Sequence, residues 1–282
     1  MPLLEGRRAL VTGAAQGLGL STARCFLAEG ASVVMADIQA DTVAAACERI
    51  NVDGRASHLT VDTTSVASVD AMVAEAARRL GGVDILVNVA GGSGTEILDR
   101  IEDMRDDIWR RVIDINLHGT FHCCRAAAPW LRKSPYGRVI NFSSSSLRGV
   151  KGKSSVAARH AYAAAKAGIH GLSNQLACDL GEDGVSVAVI LPAFILTEAG
   201  ARVNQVFYSL SEEARASMLA RLPEPPRGPD DIGWTVTFIA SDHGAGLNGT
   251  GIRLSGPIAG PSLKLVREPD TPLGTLAHVE AA

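Results

Sequence analysis

The chain has 282 residues, 46% hydrophobic and 20% charged, enough to bury the core of one large α/β domain and too apolar for disorder to be its main state. A formal net charge of −3 and a pI near 6.2 supply no basic face that could neutralise a row of phosphates, which sets aside nucleic acid and membrane surfaces as partners. The N-terminal stretch lacks an apolar signal core, and the longest apolar run, Val185 to Leu196, is broken by Ser186 and Pro192 well short of the ~18 residues of a membrane span, so a soluble cytoplasmic protein is expected.

In chain order, short runs rich in Val, Ile and Leu alternate with longer helical patterns. Strands are predicted at Ala9 to Thr12, Ser32 to Asp37, Ser57 to Val61, Ile85 to Val89, Arg138 to Phe142, Ser186 to Ile190 and Gly251 to Leu254. After the third, Val66 to Leu80 places Val66, Val69, Met72, Val73 and Ala76 on one helical face. This rhythm predicts parallel strands joined by crossover helices: an α/β, doubly wound, single-domain fold whose seven-stranded parallel sheet is flanked by helices. No compositional break interrupts it before about residue 257, so 1–257 is read as one domain and 258–282 as a C-terminal tail.

Two segments are irregular. Residues 147–159 are polar and carry Arg148, Lys151, Lys153 and Arg159; residues 197–229 end in the Pro-rich ARLPEPPRGP. Long insertions in α/β folds sit at the carboxyl ends of strands, where ligands bind, so 197–229 is expected to be a substrate loop. The four basic residues either face the substrate or are simply solvated. Five cysteines, Cys25, Cys47, Cys123, Cys124 and Cys178, are an odd count without CxxC spacing and read as small buried hydrophobes. His118 and His122 lie four apart beside a cysteine pair, but a helix packing a mixed face has the same pattern, and no metal is expected.

The first predicted strand runs straight into Thr12-Gly13-Ala14-Ala15-Gln16-Gly17-Leu18-Gly19, followed by an amphipathic helix to about Glu29. Glycines between a strand and a helix permit a tight turn and close approach of a pyrophosphate to the helix N-terminus, where free N–H groups favour an anion. About twenty residues on, the second strand ends at Asp37, a carboxylate placed to accept the hydroxyls of an adenosine ribose. It would repel a 2′-phosphate: two unit charges ~4 Å apart at an effective dielectric of 20 oppose each other by about 4 kcal/mol. Neither Gln16 nor Ile38 offers a compensating positive charge, so NAD is predicted over NADP. The alternative reading of Asp37 is a strand-end residue capping the next helix.

Hydride transfer from an alcohol carbon needs a base for the hydroxyl proton and a donor for the oxygen. Tyr162-Ala-Ala-Ala-Lys166 lies in a helix-favouring stretch, so its spacing puts phenol and ammonium on one face. An ammonium at ~4 Å in a partly buried site supplies the roughly 4 kcal/mol that would bring a tyrosine from about 10 towards neutrality. Upstream, the strand Arg138 to Phe142 delivers four serines, Ser143 to Ser146, any of which could stabilise alkoxide character.

The TGxxxGxG spacing resembles that of the short-chain dehydrogenase/reductase family, classical type, whose fold is Rossmann-like. Asp62 and Thr63 resemble its adenine-contacting segment; Asn88-Val89-Ala90-Gly91 resembles NNAG, with valine for the second asparagine. Pro192 to Thr197 resembles PGxxxT beside the nicotinamide, with Ala193 where the family has glycine, and the likeness runs from about Leu3 to Pro257. The resemblance implies cofactor contacts at Gly13, Gln16, Gly17, Leu18, Gly19, Asp37, Ile38, Asp62, Thr63, Asn88, Ala90, Gly91, Pro192, Ile195 and Thr197. It also implies that Tyr162 passes the proton, that Lys166 binds the nicotinamide ribose and tunes Tyr162, and that Asn116 shapes a helix kink and holds a water in the proton path. The family pattern NxSS, anchored on Asn141, points to Ser144, yet Tyr162 follows Ser144 by 18 positions, more than the family's usual interval. The usual interval would place the serine at residue 149, which is glycine.

The function so implied is NAD(H)-dependent interconversion of a secondary alcohol and a ketone, on a small-molecule substrate, in a homotetramer. Two other readings stand beside it: a catalytically silent NAD-bound sensor or scaffold, and an extended-type sugar-nucleotide epimerase or dehydratase. Retention of both Tyr162 and Lys166 argues against the first, and the short chain with GxxxGxG against the second.

Overall fold

The computed structural model describes residues 2–96, 98, 100–149, 156–197, 207–220 and 228–254, with the backbone of 263–265 and 279–281. The chain begins β1 (Arg8–Thr12), α1 (Gly17–Ala28), β2 (Ser32–Asp37), α2 (Ala40–Ile50), β3 (Ala56–Thr60), α3 (Val66–Leu80) and β4 (Ile85–Asn88). It continues with α4 (Asp106–Ile113), a π-helical turn (Asp114–His118), α5 (Gly119–Leu131), β5 (Arg138–Phe142), α6 (Arg159–Gly181) and β6 (Ser186–Pro192). Helices α7 (Glu212–Leu219) and α8 (Pro229–Ala240) precede β7 (Gly251–Leu254). All seven strands pair in parallel in the order β3-β2-β1-β4-β5-β6-β7, the Rossmann-like sheet that the alternation of elements predicts.

The strands read as nearly continuous apolar runs because both faces of the sheet are covered. Val33 and Met35 of β2 join Phe26, Val43, Ile140, Ile190 and Val236 on one side, under α1, α2 and α8. Their neighbours Val34 and Ala36 join Val69, Met72, Leu86, Val139 and Leu180 on the other, under α3, α5 and α6. The strand limits differ from expectation only at the ends: β3 starts at Ala56 and stops at Thr60, although the Val61 N–H still donates to the Asp37 carbonyl. Helix limits are locally encoded too. Ser65 accepts the Ser68 N–H at the start of α3, and Gly81 takes the left-handed conformation after its end.

The strand order reverses between β1 and β4, so the connections leaving their carboxyl ends run to opposite faces of the sheet, the place where such folds form a ligand crevice. The opposite, amino-terminal edge is closed by charge. Buried Asp84 accepts both the backbone N–H and the guanidinium of Arg8, and the Ser134 hydroxyl at 2.6 Å. Burial raises the Asp84 carboxyl, but the bonds from Arg8 and Ser134 outweigh it and leave the group below its ordinary 3.8. Its stabilisation is therefore complete above that ordinary value and is lost as the pH falls through the depressed folded one. Asp84→Ala is expected to remove about 2 kcal/mol of stability, since Arg8 is only partly buried, and to leave turnover unchanged. Urea denaturation checks the first; an equal loss of kcat would mean that this edge communicates with the crevice.

The expected substrate loop 197–229 falls partly outside the described residues, at 198–206 and 221–227, with α7 between them. The insertion 147–159 is described except for 150–155. Of the tail 258–282, only two short stretches of backbone are described, paired antiparallel at Leu263–Leu265 and Val279–Ala281. Among the described residues, no helix is long and apolar enough to cross a membrane.

Candidate active site

The crevice begins at the glycine turn after β1. Gly13 and Gly17 adopt φ of +66° and +59°, left-handed conformations that favour glycine. A Cβ on Gly13 would stand 2.7 Å from the Ala90 backbone nitrogen, and one on Gly19 would strike the Gly13 carbonyl. Turn, helix and the loop after β4 therefore close on one another only without side chains there. Gln16 precedes α1 in extended conformation and makes no side-chain capping bond, while Leu18 packs against the core.

Asp37 ends β2 only 8% exposed. Its Oδ2 accepts the Ala15 N–H at 3.1 Å and its Oδ1 the Gln39 N–H at 3.0 Å, which ties the glycine turn to β2. The carboxylate thus holds the turn before α2 without capping the helix, and each of its oxygens retains a further lone pair for a ligand. Ile38 beside it is exposed. At the end of β3, Asp62 accepts the N–H and hydroxyl of Thr64, and buried Thr63 lies against Gly119, where a Cβ would meet its Oγ1 at 2.8 Å.

The loop after β4 is held from several sides. The Ala90 N–H donates to Thr12 Oγ1, whereas the Asn88 side chain is buried within the sheet, donating to Asn141 Oδ1 at 2.8 Å and to Cys124 Sγ. Any ligand contact at Asn88 falls to its backbone. Asn116, fully buried, sits in the π-helical turn between α4 and α5. Its Oδ1 accepts the Gly92 N–H at 3.1 Å, and its Nδ2 donates to the carbonyls of Gly92 and Val112. The asparagine therefore clamps the β4 loop to that turn. A Cβ on Gly91 would stand 2.5 Å from Asn116 Oδ1 and 3.4 Å from Lys166 Nζ, which puts the lysine at the same spot.

Tyr162 and Lys166 occupy successive turns of α6. Lys166 Nζ donates to the Phe142 carbonyl at 2.8 Å and lies 5.5 Å from the Tyr162 ring centroid. The four serines after β5 separate by position. The Ser143 hydroxyl is buried and donates to the Lys166 carbonyl at 2.7 Å; Ser144 is the serine that acts on the Tyr162 phenol, lowering it; Ser146 bonds Ser144. Ser144, Tyr162, Lys166 and the Asn116 clamp thus meet at the carboxyl ends of β4 and β5, beside the point where the strand order reverses.

The short chain dehydrogenase family profile matches residues 7–206. The chain belongs to this family. It is 35% identical to the short-chain reductase NovJ of Streptomyces niveus, over 88% of this chain and 92% of that one. It is 32% identical to the 3-oxoacyl-[acyl-carrier-protein] reductase FabG of Escherichia coli, over 89% and 97%. Among solved structures, a 7α-hydroxysteroid dehydrogenase complexed with NADH and 7-oxo glycochenodeoxycholic acid superposes with a TM-score of 0.79 at 32% identity, over 90% of this chain and 94% of that one. A short-chain dehydrogenase of Burkholderia cenocepacia in complex with NADP superposes at 0.77 and 28% identity, over 90% and 98%.

In this short-chain dehydrogenase the pair of titrating groups does not behave as spacing alone suggests. Burial pushes the Tyr162 phenol up to about 12, only partly countered by the Ser144 hydrogen bond, and pushes Lys166 down to about 7. Lys166 therefore does not by itself bring the phenol towards neutrality. Desolvation disfavours both charged forms, and Nζ is directed at a carbonyl rather than at the phenol oxygen. Between about 7 and the ordinary 10.5 of a lysine the unfolded chain binds more protons than the folded one, so the free protein should gain stability as pH rises through that interval. Comparing urea denaturation at neutral pH and about two units higher, Lys166→Met should flatten this gain. Parallel pH profiles for the two proteins would contradict it.

The remaining residues of the sequence reading lie nearby or in the core. Pro192 ends β6 opposite Leu254, Ile195 is buried against the core under α1 and α8, and Thr197 is half-buried. Among the described residues no group of three or more His, Cys, Asp or Glu side chains could hold a metal; His118 lies against Asp114 and His122 against the Thr63 carbonyl. Arg148 is exposed, and its charge, second to burial, disfavours the charged form of Arg253 on β7.

Sequence reasoning missed what anchors the start of α6. Ala158 has φ +39°, a strained conformation for a residue with a Cβ, and its N–H donates to the Glu96 carbonyl while the Ala157 N–H donates to Ser93 Oγ. No residue type there announces it.

Proposed function

We propose that this protein is an NAD(H)-dependent oxidoreductase that interconverts a secondary alcohol and a ketone, with Tyr162 as the acid–base group. The observation that carries the reading is the convergence of Ser144, which lowers the Tyr162 phenol against its burial, with Tyr162 and Lys166 on successive turns of α6 and the Asn116 clamp beside them. The nicotinamide, when bound, supplies the acceptor or donor of hydride. The glycine turn fits such a ligand, because Gly13, Gly17 and Gly19 leave the N-terminus of α1 open to a pyrophosphate, with Gln16 and Leu18 flanking it. Asp37 with Ile38 would take the adenosine ribose, Asp62 and Thr63 the adenine side, the Asn88, Ala90 and Gly91 backbone the middle of the molecule. Pro192, Ile195 and Thr197 would border the nicotinamide, and Lys166 its ribose. The buried carboxylate of Asp37, with no basic group at Gln16 or Ile38, favours NAD over NADP.

Within this reading the chain moves one proton. In oxidation Tyr162 Oη takes the alcohol proton while the Ser144 O–H donates to the same substrate oxygen; in reduction the two steps reverse. Lys166 in its charged form lowers the phenol next to it, opposing the burial that otherwise raises it. Neither group needs a metal for this.

A panel of secondary alcohols and ketones, assayed with NAD(H) and NADP(H) by nicotinamide absorbance, tests the proposal. The position of Arg148, four residues beyond Ser144, is a reason to include acidic carbonyl compounds and thioesters in it. Turnover with at least one member is expected. Tight NAD binding without turnover of any would favour a silent sensor, and activity on a sugar nucleotide alone would favour the epimerase or dehydratase. A homotetramer, implied by the family resemblance, is supported by exposed Trp109, Phe121 and Trp130 on α4 and α5 and by Trp234 and Phe238 on α8.

A further inference from the structure

Four consecutive serines leave β5, and three of them have no part in the reaction as proposed above. Ser143 holds α6 by its backbone at Lys166. Ser146 is 6% exposed, sits in the 3₁₀ turn Ser145–Arg148, and directs two donors at one atom: its N–H lies 3.2 Å and its hydroxyl 2.8 Å from Ser144 Oγ. Ser144 precedes this turn in extended conformation, so its side chain folds back over the turn.

A hydroxyl carries one proton and two acceptor lone pairs. With both lone pairs of Ser144 engaged by Ser146, its proton has one remaining direction, towards the Tyr162 phenol and the oxygen of a bound substrate. Without that engagement the Ser144 hydroxyl is free to rotate and accept from the phenol O–H instead, which would leave the substrate oxygen without its donor. From this geometry we infer that Ser146 is a positioning residue: it fixes Ser144 as a donor, its one proton turned to the side of the Tyr162 phenol, where a bound substrate oxygen would accept it. The inference rests on the proposed role of Ser144 and adds a residue to it. It also gives the lengthened segment after β5 a use, because that segment begins with the turn that brings Ser146 back onto Ser144.

The test uses a readout that needs neither substrate nor cofactor. The chain has three tyrosines, Tyr136, Tyr162 and Tyr208, so protein labelled with ¹³C at tyrosine Cζ yields three resonances, and Tyr162→Phe identifies the one of interest. Ser146→Ala should move the Tyr162 resonance and leave the other two, Ser146→Thr should restore it, and Ser145→Ala should leave it alone. With the panel alcohol that the parent oxidises fastest, Ser146→Ala should lower kcat about tenfold, the effect of one neutral hydrogen bond, with KM within about twofold. Ser146→Thr should recover most of that loss.

An unmoved Tyr162 resonance with unchanged kcat in Ser146→Ala overturns the inference. So does an equal loss in Ser146→Ala and Ser146→Thr accompanied by a lowered Tm, which would make the residue merely structural. The two layers separate through Ser144→Ala. If that variant is inactive while Ser146→Ala is normal, only the positioning role falls; if Ser144→Ala keeps full turnover, the proposed role of Ser144 falls and the inference falls with it.

Discussion

Tyr162→Phe is expected to lower kcat by about a thousandfold while leaving nicotinamide affinity within about twofold, because it deletes one proton-transferring atom and little else. The ring keeps its packing against Val112, Ala158 and Ala161, and Ser144 keeps its bonds to Ser146, so the fold around the site should survive. The size of the loss follows from the chemistry: an alcohol cannot release hydride without surrendering its hydroxyl proton, and among the described residues no other acid–base side chain shares a hydrogen bond with Ser144. Cofactor titration by fluorescence and single-turnover oxidation measure the two quantities separately. If turnover persists with the phenol gone, the proton takes another route and the acid–base assignment is wrong.

The second large effect concerns which dinucleotide is used. Asp37→Asn should raise the ratio of kcat/KM with NADP to that with NAD by up to about a thousandfold, the bound set by two unit charges ~4 Å apart at an effective dielectric of 20. Asparagine is the informative substitution. Alanine would leave the N–H groups of Ala15 and Gln39 without their acceptor and loosen both the glycine turn and the start of α2, mixing a structural loss into an electrostatic measurement. Asparagine removes the charge and keeps one of the two acceptors, a smaller structural loss than alanine's. A parent protein that already prefers NADP, or an unchanged ratio in the variant, would refute the role given to Asp37.

The two cases differ in what the tertiary structure added. For Asp37 the sequence left two readings, ribose acceptor or helix cap; the structure has the carboxylate holding the glycine turn at Ala15 and the turn before α2 at Gln39, and leaves α2 without a side-chain cap. For the tyrosine and lysine the helical spacing was legible but its electrostatic consequence was not. Whether Lys166 lowers the phenol depends on where Nζ points and how far both groups are dehydrated, and neither is a property of a five-residue motif. The structure directs Nζ to the Phe142 carbonyl and leaves the phenol raised.

By itself the sequence determined the parallel α/β architecture, the placement of the glycine turn between β1 and α1, and the sharing of one α6 face by Tyr162 and Lys166. These are short-range or periodic properties: strands buried on both faces must be apolar throughout, and residues four apart on a helix must be neighbours. Only the tertiary structure decided the division of labour among Ser143, Ser144 and Ser146, the clamp of Asn116 on Gly92, and the strained start of α6 at Ala158. Each depends on how a loop leaving one strand meets a helix many residues away. In a run of identical serines nothing but that path distinguishes the one that touches the phenol from the one that aims it.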